Sequence, residues 1–340
     1  MKPTHHISPH STPPHHHSGT PNTATPQHGW PGPASGHLTA RFLPRRLSTS
    51  ITHRRDVLHH QLTTLPHQIL VLQAVPDLRR RFLVYGSRAT PTKISATDTS
   101  ETKAAPPTPT SPLEQLLDYA ASIQVPHNFF THFYVVSVAS SLFWGWRWSL
   151  WDARVTVRVV WALMLLQGVR RLLESYTYTS SSKSRMWVAH WILGLLFYLA
   201  TNMAVWVEHD ATPPLASDQD MLGWRAAILI PSILTAHALQ HTYHAYLYRL
   251  RTQNAEYQLP SHPLFPNLVC PHYTCEITIY LLMSLLAAPN GRIVNWTWVC
   301  ATVFVVVNLG VTAEGTREWY VEKFGAAKVS GRWRMIPWMW

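Results

Sequence analysis

Charged side chains and cysteines are scarce in this sequence: Asp, Glu, Lys and Arg make up 13% of its 340 residues, and there are 3 cysteines. The cysteines lie in or beside apolar segments, where a small buried side chain is the usual case and a disulfide framework is not expected. No glycine-rich strand-to-helix fingerprint is present, which excludes a soluble Rossmann-type module as a nucleotide site. The pattern of a secretory signal peptide is also missing, so internal helices are expected to direct insertion into a membrane.

The formal net charge of +11 is distributed in a way that favours a membrane protein over a nucleic-acid-binding protein. Lys and Arg fall between apolar segments and do not form one solvated basic stripe. We therefore expect membrane lipids as partners, and no nucleic acid.

The mean hydropathy of −0.05 averages two unlike parts of the chain. Residues 1–66 are rich in His, Pro, Ser and Thr and lack the apolar surface that offsets chain entropy, which predicts a disordered tail. Residues 67–112 form an atypical segment, too short and interrupted to be counted as a membrane span and compatible with a surface helix, followed by a Pro/Thr/Ser-rich linker. Residues 113–340 are expected to form the packed membrane domain.

Six apolar runs predict an all-α, multi-pass transmembrane bundle. A hydrocarbon core of about 30 Å needs roughly 20 helical residues, and each run is near that length. The predicted spans are 128–147, 153–172, 186–208, 221–248, 269–288 and 294–316. When they are threaded alternately, Lys and Arg gather on the face that carries the C-terminus, which the positive-inside rule makes cytoplasmic.

Polar and ionisable residues inside these spans are costly and mark function by default. With alternating topology, all of them come to the cytoplasmic side of the bundle. They are His132 in the first span, Arg171 and Glu174 at the end of the second, Gln240, His241 and His244 in the fourth, and His272 and Glu276 in the fifth.

The fourth span carries a polar stripe, because His237, Gln240, His241 and His244 follow i, i+3, i+4, i+7 spacing. One interpretation is a structural hydrogen-bond network between helices. A second is a di-iron site of the histidine-box type, but such a site needs several His clusters and only isolated histidines remain elsewhere, so no metal ligand is assigned. A third is a cavity for a phosphate-bearing cofactor, since arginines of forked, permanent charge lie on the same face.

Several segments, in this order, resemble the steroid 5α-reductase family and within it the polyprenol reductase branch of fungal type. The resemblance spans about Leu78 to Trp340. The segments are RRRFLVYGSR, VPHNFFTHFYVVS, LLQGVRRLLES, QHTYHAYLYRLR, YQLPSHPLF leading into CPHYTCEI, REWYVEKF and RWRMIPWMW.

The resemblance implies a helical membrane reductase in which NADPH lies in a cavity open to the cytosol and hydride passes to an alkene conjugated with a carbonyl. Gln240 and His244 stand where steroid-reducing members have Asn and Asp, which is typical of the polyprenol branch. Cofactor contacts are implied at Arg171, Gln240, His244, Arg251, Tyr257, His272, Glu276, Tyr320 and Arg332.

The acid that assists the reaction is expected to be His132 or Tyr134, because histidine titrates near neutrality and a phenol can donate to a carbonyl oxygen. Steroid-reducing relatives use a Glu and a Tyr, and the matching positions here are Phe133 and Gly168. The family also begins with an additional span before RRRFLVYGSR, where this chain has polar low-complexity sequence, so a degenerate seventh span is considered there.

The expected function is therefore that of an NADPH-dependent oxidoreductase acting on CH–CH groups in the endoplasmic reticulum membrane. It would saturate the α-isoprene double bond of a long-chain polyprenol or polyprenal, on the way to dolichol for protein N-glycosylation. The alternatives are a 3-oxo-5α-steroid 4-dehydrogenase type of reductase, a di-iron lipid hydroxylase or desaturase, and an inactive membrane scaffold.

Overall fold

The computed structural model describes residues 45–83, 111–178, 184–209, 218–254, 256–289 and 291–339. The chain divides into two units, Met1–Leu43 and Pro44–Trp340, and all of the described residues lie in the second.

The described part of the chain is mostly helical, in agreement with the predicted all-α class, with one small two-stranded sheet. Its elements are α1 Arg45–Ala74, α2 Pro76–Phe82, α3 Pro112–Ser122, β1 Gln124–Pro126, α4 Phe130–Trp148, α5 Val155–Thr177, β2 Arg185–Trp187, α6 Val188–Ala204, α7 Asp218–Thr252, α8 Pro271–Leu286, α9 Trp296–Phe324 and α10 Ala326–Val329.

Helices α4 to α9 each coincide with one of the six predicted spans, so the predicted helix positions are confirmed. Among the described helices, α9 alone is both long and apolar enough to cross a membrane, and half of its most apolar window is buried inside the protein. Helices α6 and α8, with 17 and 16 residues, are shorter than the roughly 20 residues of a full crossing. Helices α5 and α7 carry the charged and polar side chains described below.

Helix α1 differs from the prediction, because residues 45–66 were expected to belong to a disordered tail and are helical. Leu58, Leu62 and Ile69 are buried at helical spacing in the core, and α1 packs along α9. The composition of this stretch is polar on average, but a narrow apolar face is enough once a partner helix covers it. Residues 1–44 and the predicted linker over 84–110 lie outside the described residues, and the predicted domain division stays a prediction there.

Helix ends follow local sequence signals. Pro76, Pro112 and Pro271 each stand in the first turn of a helix, where the missing N–H has no intrahelical partner to lose. Ser111 caps α3 and forms a capping box with Glu114. At the other end of the chain, Gly325 terminates α9 with φ +89°, a conformation that favours glycine.

The small sheet ties the first turns of α4 and α6 together. Strands β1 and β2 are antiparallel, with Val125 opposite Met186, and the His127 N–H donates to the Ser184 carbonyl at 3.0 Å. Helix α4 packs against α5 and α6, while α8 packs against α7 and α9. This arrangement brings the first halves of α4, α6 and α8, the second halves of α5 and α7, and the middle of α9 around one cavity.

Candidate active site

A cavity of about 690 Å³ lies among helices α4 to α9, within the roughly 300–1,000 Å³ of ordinary ligand sites. It has two unlike walls. The polar wall comprises Tyr134, Arg171, Glu174, Gln240, His244, His272 and Glu276. The apolar wall comprises Phe130, Phe133, Leu193, Gly194, Phe197, Phe304, Val305 and Leu309.

Two helices supply most of the polar groups through the same spacing. On α7 the stripe predicted from sequence, His237 to His244, faces α5, which carries Gln167, Arg170, Arg171 and Glu174 at i, i+3, i+4 and i+7. Residues at this spacing share one helix face. The two stripes therefore meet side by side and complete each other's hydrogen bonds.

Glu174 is the centre of this contact, with a side chain 3% exposed. Arg170 Nη1 and Arg171 Nη1 each donate to its carboxylate at 2.5 Å, and His241 Nδ1 and His244 Nδ1 lie 2.8 Å from it. Two guanidinium groups and two imidazoles thus surround one buried carboxylate.

Arg170 also fixes the orientation of two amides. Its Nη2 donates to Gln167 Oε1 at 2.7 Å and to Gln240 Oε1. Because both amide oxygens accept from Arg170, both amide nitrogens point the other way, toward Glu276. Gln167 Nε2 donates to Glu276 Oε1 at 3.1 Å, and Gln240 Nε2 donates to Glu276 Oε2. Gln240 Nε2 also donates to the His272 carbonyl at 3.2 Å. The Glu276 carboxylate is thus held at the cavity surface as an acceptor.

Tyr134 lies where the polar and apolar walls meet. Arg171 Nη2 donates to its hydroxyl oxygen at 2.5 Å, and the guanidinium carbon is 4.8 Å from the ring centre. The buried ring also meets Tyr198 edge to face at 5.6 Å. Since Arg171 donates to the oxygen, the phenolic proton is left for an acceptor inside the cavity.

His272 carries a polar atom that no described residue satisfies. Its Nδ1 is buried and has no hydrogen-bond partner among the described residues, while the ring stacks on Tyr243 with centroids 5.5 Å apart. Buried polar atoms are normally paired. Because His272 lines the cavity, a ring nitrogen with no partner in the described part of the chain suits a polar group of a bound ligand.

The mouth of the cavity is cationic and aromatic. Arg251 and Tyr257 line it, with the guanidinium carbon 4.4 Å from the Tyr257 ring centre, and Lys323 Nζ lies 5.4 Å from the same ring. Two cations beside an aromatic ring suit a phosphate-bearing ligand. Together with the unpaired His272 nitrogen and the volume of the cavity, these groups fit a nicotinamide dinucleotide phosphate.

The structure brings eight of the eleven predicted site residues to one cavity. Those that line it are Tyr134, Arg171, Gln240, His244, Arg251, Tyr257, His272 and Glu276. The other three, His132, Tyr320 and Arg332, are not among its lining residues.

His132 is exposed, and its ring lies 4.4 Å from that of Phe129 and 6.1 Å from that of Trp191. It stands two residues before Tyr134, about 200° around α4, and so faces away from the cavity. Tyr320 packs against Trp319 and Phe324. Arg332 donates to the Pro260 carbonyl.

Sequence reasoning missed Gln167 and Arg170 as parts of the site. Their signal was available, because with Arg171 and Glu174 they repeat on α5 the spacing that was recognised on α7. Tyr198 carried no such signal, since it lies within an apolar helix. Among the described residues, no group of three or more His, Cys, Asp or Glu side chains has a geometry that could hold a metal ion.

The part of the chain that carries α7 and α8 is similar to a known protein family. Residues 184–340 match the family of 3-oxo-5-alpha-steroid 4-dehydrogenases. The family resemblance inferred from the sequence is thereby confirmed, and the matched region contains Gln240, His244, His272 and Glu276.

Similar curated proteins are polyprenal reductases. Polyprenal reductase 1 of Oryza sativa subsp. indica is 28% identical over 225 residues, which cover 57% of this chain and 60% of the relative. The polyprenal reductase of Saccharomyces cerevisiae is 27% identical over 223 residues, covering 64% and 76%. That of Danio rerio is 24% identical over 199 residues, covering 56% and 63%. The chain thus spans about 60% of the length of the rice relatives that it matches.

Proposed function

We propose that this chain is an NADPH-dependent reductase that saturates the α-isoprene double bond of a long-chain polyprenal. The observation that carries the proposal is the cavity whose polar and apolar walls meet at the Tyr134 hydroxyl. The names of the similar proteins support the same substrate class. The aldehyde is favoured over the alcohol because only a carbonyl conjugated with the alkene can accept the charge that hydride addition creates.

The chemistry asked of the protein is to stabilise an enolate and to supply a proton. NADPH, when bound, supplies the hydride that the far alkene carbon receives. The Tyr134 hydroxyl would donate to the carbonyl oxygen, and the Arg171 charge behind it would stabilise the negative charge that develops there. A proton then reaches the carbon next to the carbonyl, so that one hydride and one proton saturate one C=C bond.

Residues of the mouth and of the polar wall would hold the cofactor. Arg251 and Tyr257, with Lys323 beside them, would take the phosphate-bearing part at the mouth. Gln240, His244, His272 and Glu276 would contact its polar groups deeper in the cavity, where the unpaired His272 nitrogen and the held Glu276 carboxylate lie. Tyr320 and Arg332, predicted by resemblance, are left out of this set because they do not line the cavity.

We further propose that α4 to α9 cross the endoplasmic reticulum membrane, with the cavity mouth and the C-terminus on the cytoplasmic side. The length and apolar character of α9 support this, as does the gathering of Arg170, Arg171 and Arg251 at the end of the bundle where the cavity opens. The product would enter the route to dolichol for protein N-glycosylation.

The deciding experiment incubates membranes that contain the protein with NADPH carrying deuterium at the reactive C4 position. A polyprenal and a 3-oxo-Δ4-steroid are offered in separate reactions, and products are read by mass spectrometry. We expect one deuterium at the saturated β-carbon of the polyprenal product and none with the Tyr134→Phe variant above a trace. Saturation of the steroid alone would overturn the proposal. Stoichiometric iron and loss of activity with a chelator would favour the di-iron alternative.

A further inference from the structure

Helices α4 and α6 approach each other at Phe133 and Gly194. A Cβ atom built on Gly194 would lie 2.6, 2.7 and 2.9 Å from three carbons of the Phe133 ring. Real Cβ atoms essentially never approach neighbours so closely, so the end of the ring rests directly on the backbone of α6 at a position where only glycine leaves room. Both residues line the apolar wall of the cavity.

The Phe133 ring is held on two further sides by aromatic neighbours. It meets Phe130 edge to face at 5.0 Å and stacks with Tyr198 at 6.4 Å. Well-packed interiors have little free volume. A ring pushed off α6 would therefore move toward the open space of the cavity.

Phe133 and Tyr134 line different walls of the cavity. They are consecutive on α4 and point about 100° apart, so that Tyr134 reaches Arg171 in the polar wall while Phe133 reaches α6 in the apolar wall. A substrate whose carbonyl accepts from Tyr134 would then extend its hydrocarbon chain beside the Phe133 ring. The width of the cavity at this ring limits what chain can pass.

We propose that Phe133 and Gly194 are a specificity-determining pair: the missing side chain at Gly194 lets the Phe133 ring lie against α6 and keeps the apolar wall open for a methyl-branched isoprenoid chain. This inference rests on the proposed function, since it presumes a carbonyl at Tyr134 with an isoprenoid tail.

The size of the effect follows from the contact distance. To restore ordinary contact, which begins at 3.4 Å, a ring carbon now 2.6 Å from the added methyl group would have to move by about 0.8 Å. In a site that holds hydrocarbon, a change of one methylene group changes kcat/KM by roughly 10–200-fold. Gly194→Ala is therefore expected to lower kcat/KM for a long-chain polyprenal by about tenfold or more.

The test is a double-variant cycle with the full chain in membranes. It compares wild type, Gly194→Ala, Phe133→Leu and the double variant Phe133→Leu/Gly194→Ala with a long-chain polyprenal. A C5 α,β-unsaturated aldehyde, which has the reacting unit and no tail, is the second substrate. Gly223→Ala is the matched control, because a Cβ atom there would meet nothing within 4 Å. Thermal unfolding of each variant reports whether it folds.

We expect Gly194→Ala to lose activity with the long chain and much less with the C5 aldehyde. In the double variant, the smaller side chain that Phe133→Leu introduces should restore the long-chain activity to within about threefold of the Phe133→Leu level. An unchanged kcat/KM in Gly194→Ala, or a loss that the double variant does not recover, overturns the inference. If Gly194→Ala alone fails to fold, the comparison is made between Phe133→Leu and the double variant. A lower kcat/KM for the long-chain polyprenal in the double variant then overturns the inference.

The outcomes for the wild-type protein separate this inference from the proposed function. A wild-type protein that reduces no polyprenal removes the proposed function and this inference together. If the wild type is active and Gly194→Ala has an unchanged kcat/KM, only the inference is removed.

Discussion

Two buried glutamates near opposite ends of the helical unit have the same exposure and different surroundings. The side chains of Glu174 and Glu208 are each 3% exposed. Glu174 holds two arginines and two histidines at the polar wall of the cavity. Glu208 Oε1 accepts from the N–H and the hydroxyl of Thr297 in the first turn of α9, both at 2.6 Å, and His59 Nε2 of α1 lies 3.5 Å away.

The comparison shows that burial of a carboxylate does not by itself indicate a functional site. Glu208 accepts from the Thr297 N–H, one of the free N–H groups at the start of α9, and joins α1 to that helix, which is a stabilising role. Glu174 positions Arg171, and through it Tyr134, beside a cavity. The partners of each carboxylate distinguish the two roles. Substitutions around Glu174 should therefore lower kcat, and substitutions around Glu208 should lower the free energy of unfolding.

The largest expected effect follows removal of the Arg171 charge. Arg171→Met leaves Tyr134 without its donor and Glu174 without one counter-charge, so kcat for polyprenal should fall by about 10²–10³-fold, as for the loss of one oxyanion donor. Steady-state kinetics in membranes measures this. Arg158→Met, an exposed arginine on the same helix, is the control, and equal losses in the two variants would contradict the assignment.

The next effect concerns the proposed acid. Tyr134→Phe keeps the ring that packs against Tyr198 and removes the hydroxyl, so kcat should fall by about 10²-fold or more while the affinity for NADPH, measured by fluorescence titration, stays near the wild-type value. The control is Tyr119→Phe on α3, where the side chain is 67% exposed. A Tyr134→Phe variant with full kcat would remove Tyr134 from the mechanism.

The same substitution at the two glutamates tests the comparison directly. Glu174→Gln should lower kcat by about tenfold or more, because two partly buried arginines lose their counter-charge and Arg171 is no longer held in place. Glu208→Gln keeps an acceptor for Thr297 and should lower the free energy of unfolding by about 1 kcal/mol with kcat nearly unchanged. For both variants, steady-state kinetics measures kcat, and denaturant unfolding in detergent measures the free energy of unfolding. The distinction fails if Glu208→Gln is the more damaging of the two to kcat.

The smallest expected effect is at His132. Its ring is exposed on the side of α4 away from the cavity, so His132→Ala should change kcat by less than about twofold, as is usual for surface substitutions. The pH profile of kcat/KM should likewise keep its shape. A loss comparable with that of Tyr134→Phe would return His132 to the role of acid that was predicted for it from the sequence.

Local patterns account for the parts of the site that could be predicted. The polar stripe on α7 was recognised because Gln240 and His244 interrupt an apolar run at helical spacing, which is a property of one helix. The same spacing on α5 includes Arg170, but its role, the orientation of two amides from different helices, is visible only in the three-dimensional structure. His132 and Tyr134 could not be ranked from sequence, because both are polar residues near the start of one span and the direction of the cavity is set by the helices around α4.

The amino-acid sequence is enough to locate α4 to α9 along the chain to within several residues and to indicate the family that the C-terminal part resembles, because apolar run length, prolines and ordered motifs are all local properties of the chain. Two features required the three-dimensional structure: the polar stretch 45–66 is part of helix α1 and packs against α9 through Leu58 and Leu62, and the Phe133 ring rests on Gly194. Contacts of this kind join residues far apart in the chain. Their energies depend on distance and direction in space, which no periodicity within a single helix records.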